Sequence, residues 1–209
     1  MLGFYNPSVI LTYVSLISAT FGMAFILGGE EKSVFAALIC LMVSGVCDMF
    51  DGAIAQKCRR NEEEKMFGIQ IDSLCDLVAF GALPALIALC LGEVGLFSKV
   101  AAALILLSSV IRLGFFNVQE IMRDRTQKRE VYLGMPVTVV SVLYPLLLIV
   151  GLLLGDGAMV WYAPAVLCVL AVLEVLRFPL KKVYGKGKIA LLLFGIAEVV
   201  LICLFGGNL

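Results

Sequence analysis

Four aspartates, Asp48, Asp51, Asp72 and Asp76, fall within one stretch, DMFDGAIAQKCRRNEEEKMFGIQIDSLCD, whose flanks are almost wholly apolar. Spacings of three and four residues place each pair on one helix face, with Cβ atoms about 5–6 Å apart. The first pair ends one apolar segment and the second begins the next, with a short charged loop between them. Two helices so joined pack antiparallel and bring all four carboxylates to one end. Like charges at close range need compensating positive charge, and hard oxygen ligands favour Mg²⁺, Mn²⁺ or Ca²⁺; a two-metal arrangement is one use of such a set. The chain has no histidine, so His-ligated zinc and His acid–base chemistry are excluded and carboxylates must do that work. Gly52 follows Asp51 directly, and Gly68 lies one turn before Asp72. Missing side chains beside metal ligands let a bulky group approach the backbone, and a diphosphate is what two metals would hold there.

The elements that position these residues are membrane helices. Of 209 residues, 62% are hydrophobic and 15% charged, with a mean hydropathy of +1.06. Soluble domains are only about 45–50% apolar. Apolar runs recur along the whole length as one domain, 1–209, and predict spans near 7–27, 33–55, 67–91, 95–116, 133–154, 158–178 and 189–205. The expected fold is therefore an all-α integral membrane protein, a bundle of six to seven transmembrane helices with a cytoplasm-facing polar active-site cavity. Asn6 is a fitting N-cap and Pro7 a fitting first helical residue, while Pro84 predicts a kink in the third span. The N-terminus lacks a basic n-region and a cleavage site, so the first run is expected to be a retained span.

Charge sets the orientation. Fourteen of the sixteen Lys and Arg residues lie on one side of this topology, and only Lys32 and Lys99 on the other. The positive-inside rule makes the loaded side cytoplasmic, with the N-terminus and the aspartates on it. The runs 123–129 and 181–188 read as surfaces facing anionic lipid headgroups, and nothing suggests nucleic-acid binding. Trp161, Tyr162 and Tyr184 read as interfacial belt residues, and the seven cysteines, with no C-x-x-C pairing, as small packing residues. Gly151 and Gly155 match the small-xxx-small packing pattern.

Taken in order, Asp48-x-x-Asp51-Gly52-x-x-Ala55 and Gly68-x-x-x-Asp72-x-x-x-Asp76 resemble the signature of the CDP-alcohol phosphotransferases. Two features depart from it: Gln56 stands where the family usually has Arg, and the loop from there to Gly68 is longer than the common spacing. Arg59 or Arg60, in that loop, is expected to supply the missing cation. Within the family, FGIQIDSLCDLVAFGALPA (67–85), RLGFFNV (112–118) and LGMPVT (133–138) are similar to the bacterial and archaeal type of phosphatidylserine synthase.

The resemblance implies transfer of a phosphatidyl group from CDP-diacylglycerol to L-serine, giving phosphatidylserine and CMP, by a homodimer embedded among membrane lipids. It implies that Asp48, Asp51 and Asp72, with Asp76 contributing, hold Mg²⁺ or Mn²⁺, and that Asp76 is the base toward the serine hydroxyl. Gly52, Ala55 and Gly68 would admit the nucleotide. Arg112 reads either as a snorkelling arginine or as a clamp on phosphate or on the serine carboxylate, with Asn117 assisting. Two alternatives stay open: the same chemistry with another acceptor (glycerol 3-phosphate or inositol phosphate) or an archaeal-type donor, and a divalent-cation transporter. Transport sites lie near the midplane, which disfavours the last.

Overall fold

In a computed structural model, residues 3–29, 33–122, 131–152, 156–181 and 186–205 are described. The basic run 123–129, residues 182–185 of the run 181–188 with Tyr184, and Lys32 and Gly155 lie outside them. A 3₁₀ turn, Pro7–Val9, leads into α1 (Ile10–Gly28); α2 is Ser33–Lys57 and α3 is Glu62–Asp76. The third helix widens into π turns over Leu77–Ala82 and continues as α4 (Leu83–Leu91). Then come α5 (Leu96–Met122), α6 (Val140–Leu152), α7 (Asp156–Val175) and α8 (Lys186–Phe205). Among the described residues, five helical stretches are long and apolar enough to cross a membrane, and the shorter apolar helices Val137–Leu152 and Leu193–Leu204 accompany them. The chain is an all-α, multi-pass membrane protein, as its composition requires.

The start signals act as expected and further than expected. Asn6 caps the first helix through Ser8 N–H at 3.0 Å, with Pro7 in the first turn. Asn61 and Glu64 form a reciprocal capping box, at 2.8 Å in both directions. That box starts α3 five residues before the apolar run, inside the charged loop, because it satisfies amide donors no preceding turn could pair. At Pro84, which has no N–H to donate, the ladder shifts to π spacing and Leu83 N–H bonds Val78 O.

Small residues set the packing. Between α1 and α2, Ser18 Oγ donates to Cys40 O at 2.9 Å and Ser44 Oγ to Ser15 O at 3.0 Å, beside Ala19, Gly22 and Ala37. Helices in lipid gain little from hydrophobic exclusion, so close approach and interhelical hydrogen bonds hold them together. A Cβ on Gly45 would overlap Ser141, so α6 presses on α2 one turn before Asp48. Gly151 is filled by the Tyr162 ring of α7, which makes its small side an intramolecular contact. At the end opposite the aspartates, exposed Trp161 stacks on Phe97 with centroids 6.0 Å apart.

One element was not anticipated. Val131–Leu133 (β1) pairs antiparallel with Pro179–Lys181 (β2), Tyr132 opposite Leu180. Leu133 therefore belongs to a strand, and the fifth span begins later than its apolar run. A pairing across nearly fifty residues leaves no local periodicity to read.

Candidate active site

Asp48 and Asp51 project from the last turns of α2, and Asp72 and Asp76 from the last turns of α3. One carboxylate oxygen from each of Asp48, Asp72 and Asp76 lies within 4.8 Å of the others. Asp76 is the deepest of the three, 7% exposed. Asp51 stands beside Asp72, with its Oδ2 accepting from Thr12 Oγ1 of α1 at 3.5 Å. The convergence follows from helix geometry: each pair occupies one face, and the short loop turns the faces toward each other.

The donor set is oxygen only, carboxylate, and gathered like with like. Three such groups repel strongly in a medium of low dielectric, and the arrangement is stabilised when a cation sits among them. Hard divalent cations, Mg²⁺ or Mn²⁺, fit these ligands; soft or imidazole-seeking metals do not.

The glycines flank this trio. The position of a Cβ on Gly52 is open space to 4 Å, whereas on Gly68 it would meet Arg60 Nη1 at 3.4 Å. The Arg60 side chain is half-buried, while those of Gln56 and Arg59 are exposed; Ala55 is half-buried on α2. From α5, Asn117 reaches α3, where its Oδ1 accepts from Ser73 Oγ at 2.8 Å, next to Asp72.

Arg112 does not snorkel. It is 6% exposed, and its guanidinium donates to Glu174 O at 2.8 Å, Leu133 O at 3.2 Å and, more weakly, Gly134 O at 3.4 Å. It thus satisfies a carbonyl in the last turn of α7 and fastens β1 to it, with the Phe116 ring 4.5 Å from the guanidinium carbon. Gly134 makes this possible. Its φ is +75°, and a Cβ there would lie 2.5 Å from Leu176 O and 2.9 Å from Arg112 Nη1. Arg112, Phe115, Phe116, Glu174 and Arg177 border a cavity of about 110 Å³.

Sequence reasoning passed over Glu174 and Glu198, both buried in apolar helices. Glu174 Oε2 accepts from Ser108 Oγ at 2.8 Å and Ser109 Oγ at 3.0 Å, while its Oε1 has no hydrogen-bond partner among the described residues. The signal was available: an acidic residue inside an apolar span is costly and marks a partner to be found. Thr12 and Ser73 carried no such signal, since isolated hydroxyls are ordinary in spanning helices.

The sequence pattern described as CDP-alcohol phosphatidyltransferase matches residues 5–176. The chain is 30% identical over 136 residues to a CDP-diacylglycerol–serine O-phosphatidyltransferase of Saccharomyces cerevisiae, covering 63% of this chain and 47% of that protein. It is 26% identical over 208 residues to the protein of that name from Helicobacter pylori, covering 94% and 84% respectively. It is 29% identical over 130 residues to the archaetidylserine synthase of Methanothermobacter thermautotrophicus, covering 62% and 53%. The chain thus spans about half the length of the yeast and archaeal relatives.

Proposed function

The chain belongs to the CDP-alcohol phosphatidyltransferase family, and from that premise we propose that it transfers the phosphatidyl group of CDP-diacylglycerol to L-serine, releasing CMP. The observation that carries the reading is the gathering of Asp48, Asp72 and Asp76 within 4.8 Å beside two glycines. Asp48, Asp51 and Asp72, with Asp76 contributing, would hold Mg²⁺ or Mn²⁺, a pair of ions in this reading. Bound metal supplies neutralisation of the diphosphate and of the departing CMP.

The chain's own residues do the rest. Gly52, Ala55 and Gly68 leave room for the nucleotide to lie against α2 and α3. Asp76 takes the proton of the serine hydroxyl as that oxygen attacks the β-phosphorus, and its burial keeps competing water away. Arg112 and Asn117 bound the acceptor side. A guanidinium held by backbone carbonyls keeps a fixed orientation, and its planar fork suits a carboxylate. The site faces the cytoplasm, where the basic loops and the soluble acceptor are, and the working unit is a homodimer.

The experiment is product analysis. Purified protein in detergent receives CDP-diacylglycerol, Mg²⁺ or Mn²⁺, and L-serine, glycerol 3-phosphate or inositol phosphate in separate reactions. CMP and phosphatidylserine with serine alone are expected; product with another acceptor alone would overturn the acceptor assignment. Because one relative is named an archaetidylserine synthase, a CDP-archaeol arm is included; preference for it would change the donor and leave the chemistry intact.

A further inference from the structure

The segment ahead of α1 is fastened to the α2–α3 loop. Asn6 uses both ends of its amide: Oδ1 caps the 3₁₀ turn that leads into α1, while Nδ2 donates to Arg59 O at 3.1 Å and to Glu64 Oε1 at 3.3 Å. Glu64 Oε2 accepts from Asn61 N–H, and Asn61 Oδ1 from Glu64 N–H, both at 2.8 Å. The Phe4 ring packs on Phe67 with centroids 5.5 Å apart. Arg60 is therefore held on both sides, by the carbonyl of the residue before it and by the capping box of the residue after it. Its guanidinium comes within 3.4 Å of where a Gly68 Cβ would stand, one turn from Asp72. Arg59 contributes its carbonyl to the clamp and leaves its side chain exposed.

We propose that Arg60, through its placement over Gly68, is the cation that receives the diphosphate of the CDP-linked donor, and that Asn6 is the positioning residue that sets it there. This rests on the phosphatidyltransferase reading and goes beyond it by choosing one residue of the long loop, one ligand group and the element that holds them. A guanidinium pairs with two phosphate oxygens at once, and it does so most effectively when its backbone is fixed before the ligand arrives. A loop lengthened by several residues would otherwise have to be ordered on binding. The Asn6 clamp and the Asn61 capping box remove that cost from both ends, and glycine at 68 leaves room for the guanidinium to lie beside the nucleotide.

The test is donor affinity, measured as Mg²⁺-dependent CDP-diacylglycerol binding to the full chain in detergent, with CMP release and thermal midpoint followed in parallel. Arg60→Ala should weaken donor binding about tenfold with serine KM unchanged, and Arg60→Lys should recover part of it. Asn6→Asp keeps the helix-capping oxygen, loses the Nδ2 donor and sets a carboxylate against Glu64, so it should weaken donor binding about three- to fivefold. The double variant should bind no worse than Arg60→Ala alone, because Asn6 acts through Arg60. Unchanged affinity in Arg60→Ala, or full additivity in the double variant, overturns the proposal. A wild-type chain that binds the donor yet releases no CMP with any acceptor would instead count against the phosphatidyltransferase reading and leave this inference to the affinity data.

Discussion

Two halves of this molecule treat charge in opposite ways. Between α2 and α3, carboxylates are gathered against one another, three within 4.8 Å. Between α5 and α7, a buried acid and a buried base are distributed among partners the chain supplies. Arg112 goes to backbone carbonyls of Leu133, Gly134 and Glu174, and Glu174 Oε2 to the hydroxyls of Ser108 and Ser109. Groups whose partners come from the chain hold the bundle together. Groups set like against like carry an uncompensated repulsion that the fold bears, and in the proposed reading a bound cation relieves it.

The largest test of that contrast is Asp76→Asn. It should reduce turnover by about a thousandfold or more while largely sparing CDP-diacylglycerol binding, since the amide cannot take the serine proton; near-normal CMP release would remove the base assignment. Asp51→Ala should weaken Mg²⁺-dependent nucleotide binding, by roughly ten- to a hundredfold in a metal titration. Nucleotide binding that stays metal-dependent and unchanged would break the metal-site reading.

On the other half the expected loss is stability. Gly134→Ala forces a side chain into a left-handed position against Leu176 O and Arg112, and should cost about 2–4 kcal/mol, read as a lower thermal midpoint in detergent. Smallest and of opposite sign, Asp48→Asn should raise the midpoint of metal-free protein by about 1 kcal/mol equivalent, because it relieves repulsion within the trio. If Asp48→Asn and Gly134→Ala both destabilise metal-free protein to the same degree, the two halves do not differ as argued.

Much of the site was legible beforehand. Asp48, Asp51, Asp72 and Asp76 declared themselves by type and by helical spacing, and the glycines by their adjacency. Arg112 was legible as important, with its environment left open between snorkelling and a clamp; its burial removes the first. Its partners come from β1 and the end of α7, twenty to sixty residues away, and no local pattern announces a long-range capping contact. Glu174 was missed although an acid in an apolar run is itself the signal. The choice between Arg59 and Arg60 was open in the sequence, since adjacent arginines in a loop have no periodicity to separate them.

What the amino-acid order determined by itself is whatever depends on neighbours: apolar lengths that demand a bilayer, caps at Asn6 and Asn61, carboxylate pairs on one face, and basic loops on one side. Hydrophobic length, capping and helical period act over a few residues, so they can be read from a few residues. Tertiary structure alone decided which three carboxylates meet, with Asp51 beside them. It also decided that Arg60 lies over Gly68, that Asn117 reaches Ser73, and that β1 pairs with β2. Those depend on how helices approach, which small residues such as Gly45 against Ser141 settle to within an atom's width, and only the assembled bundle expresses that.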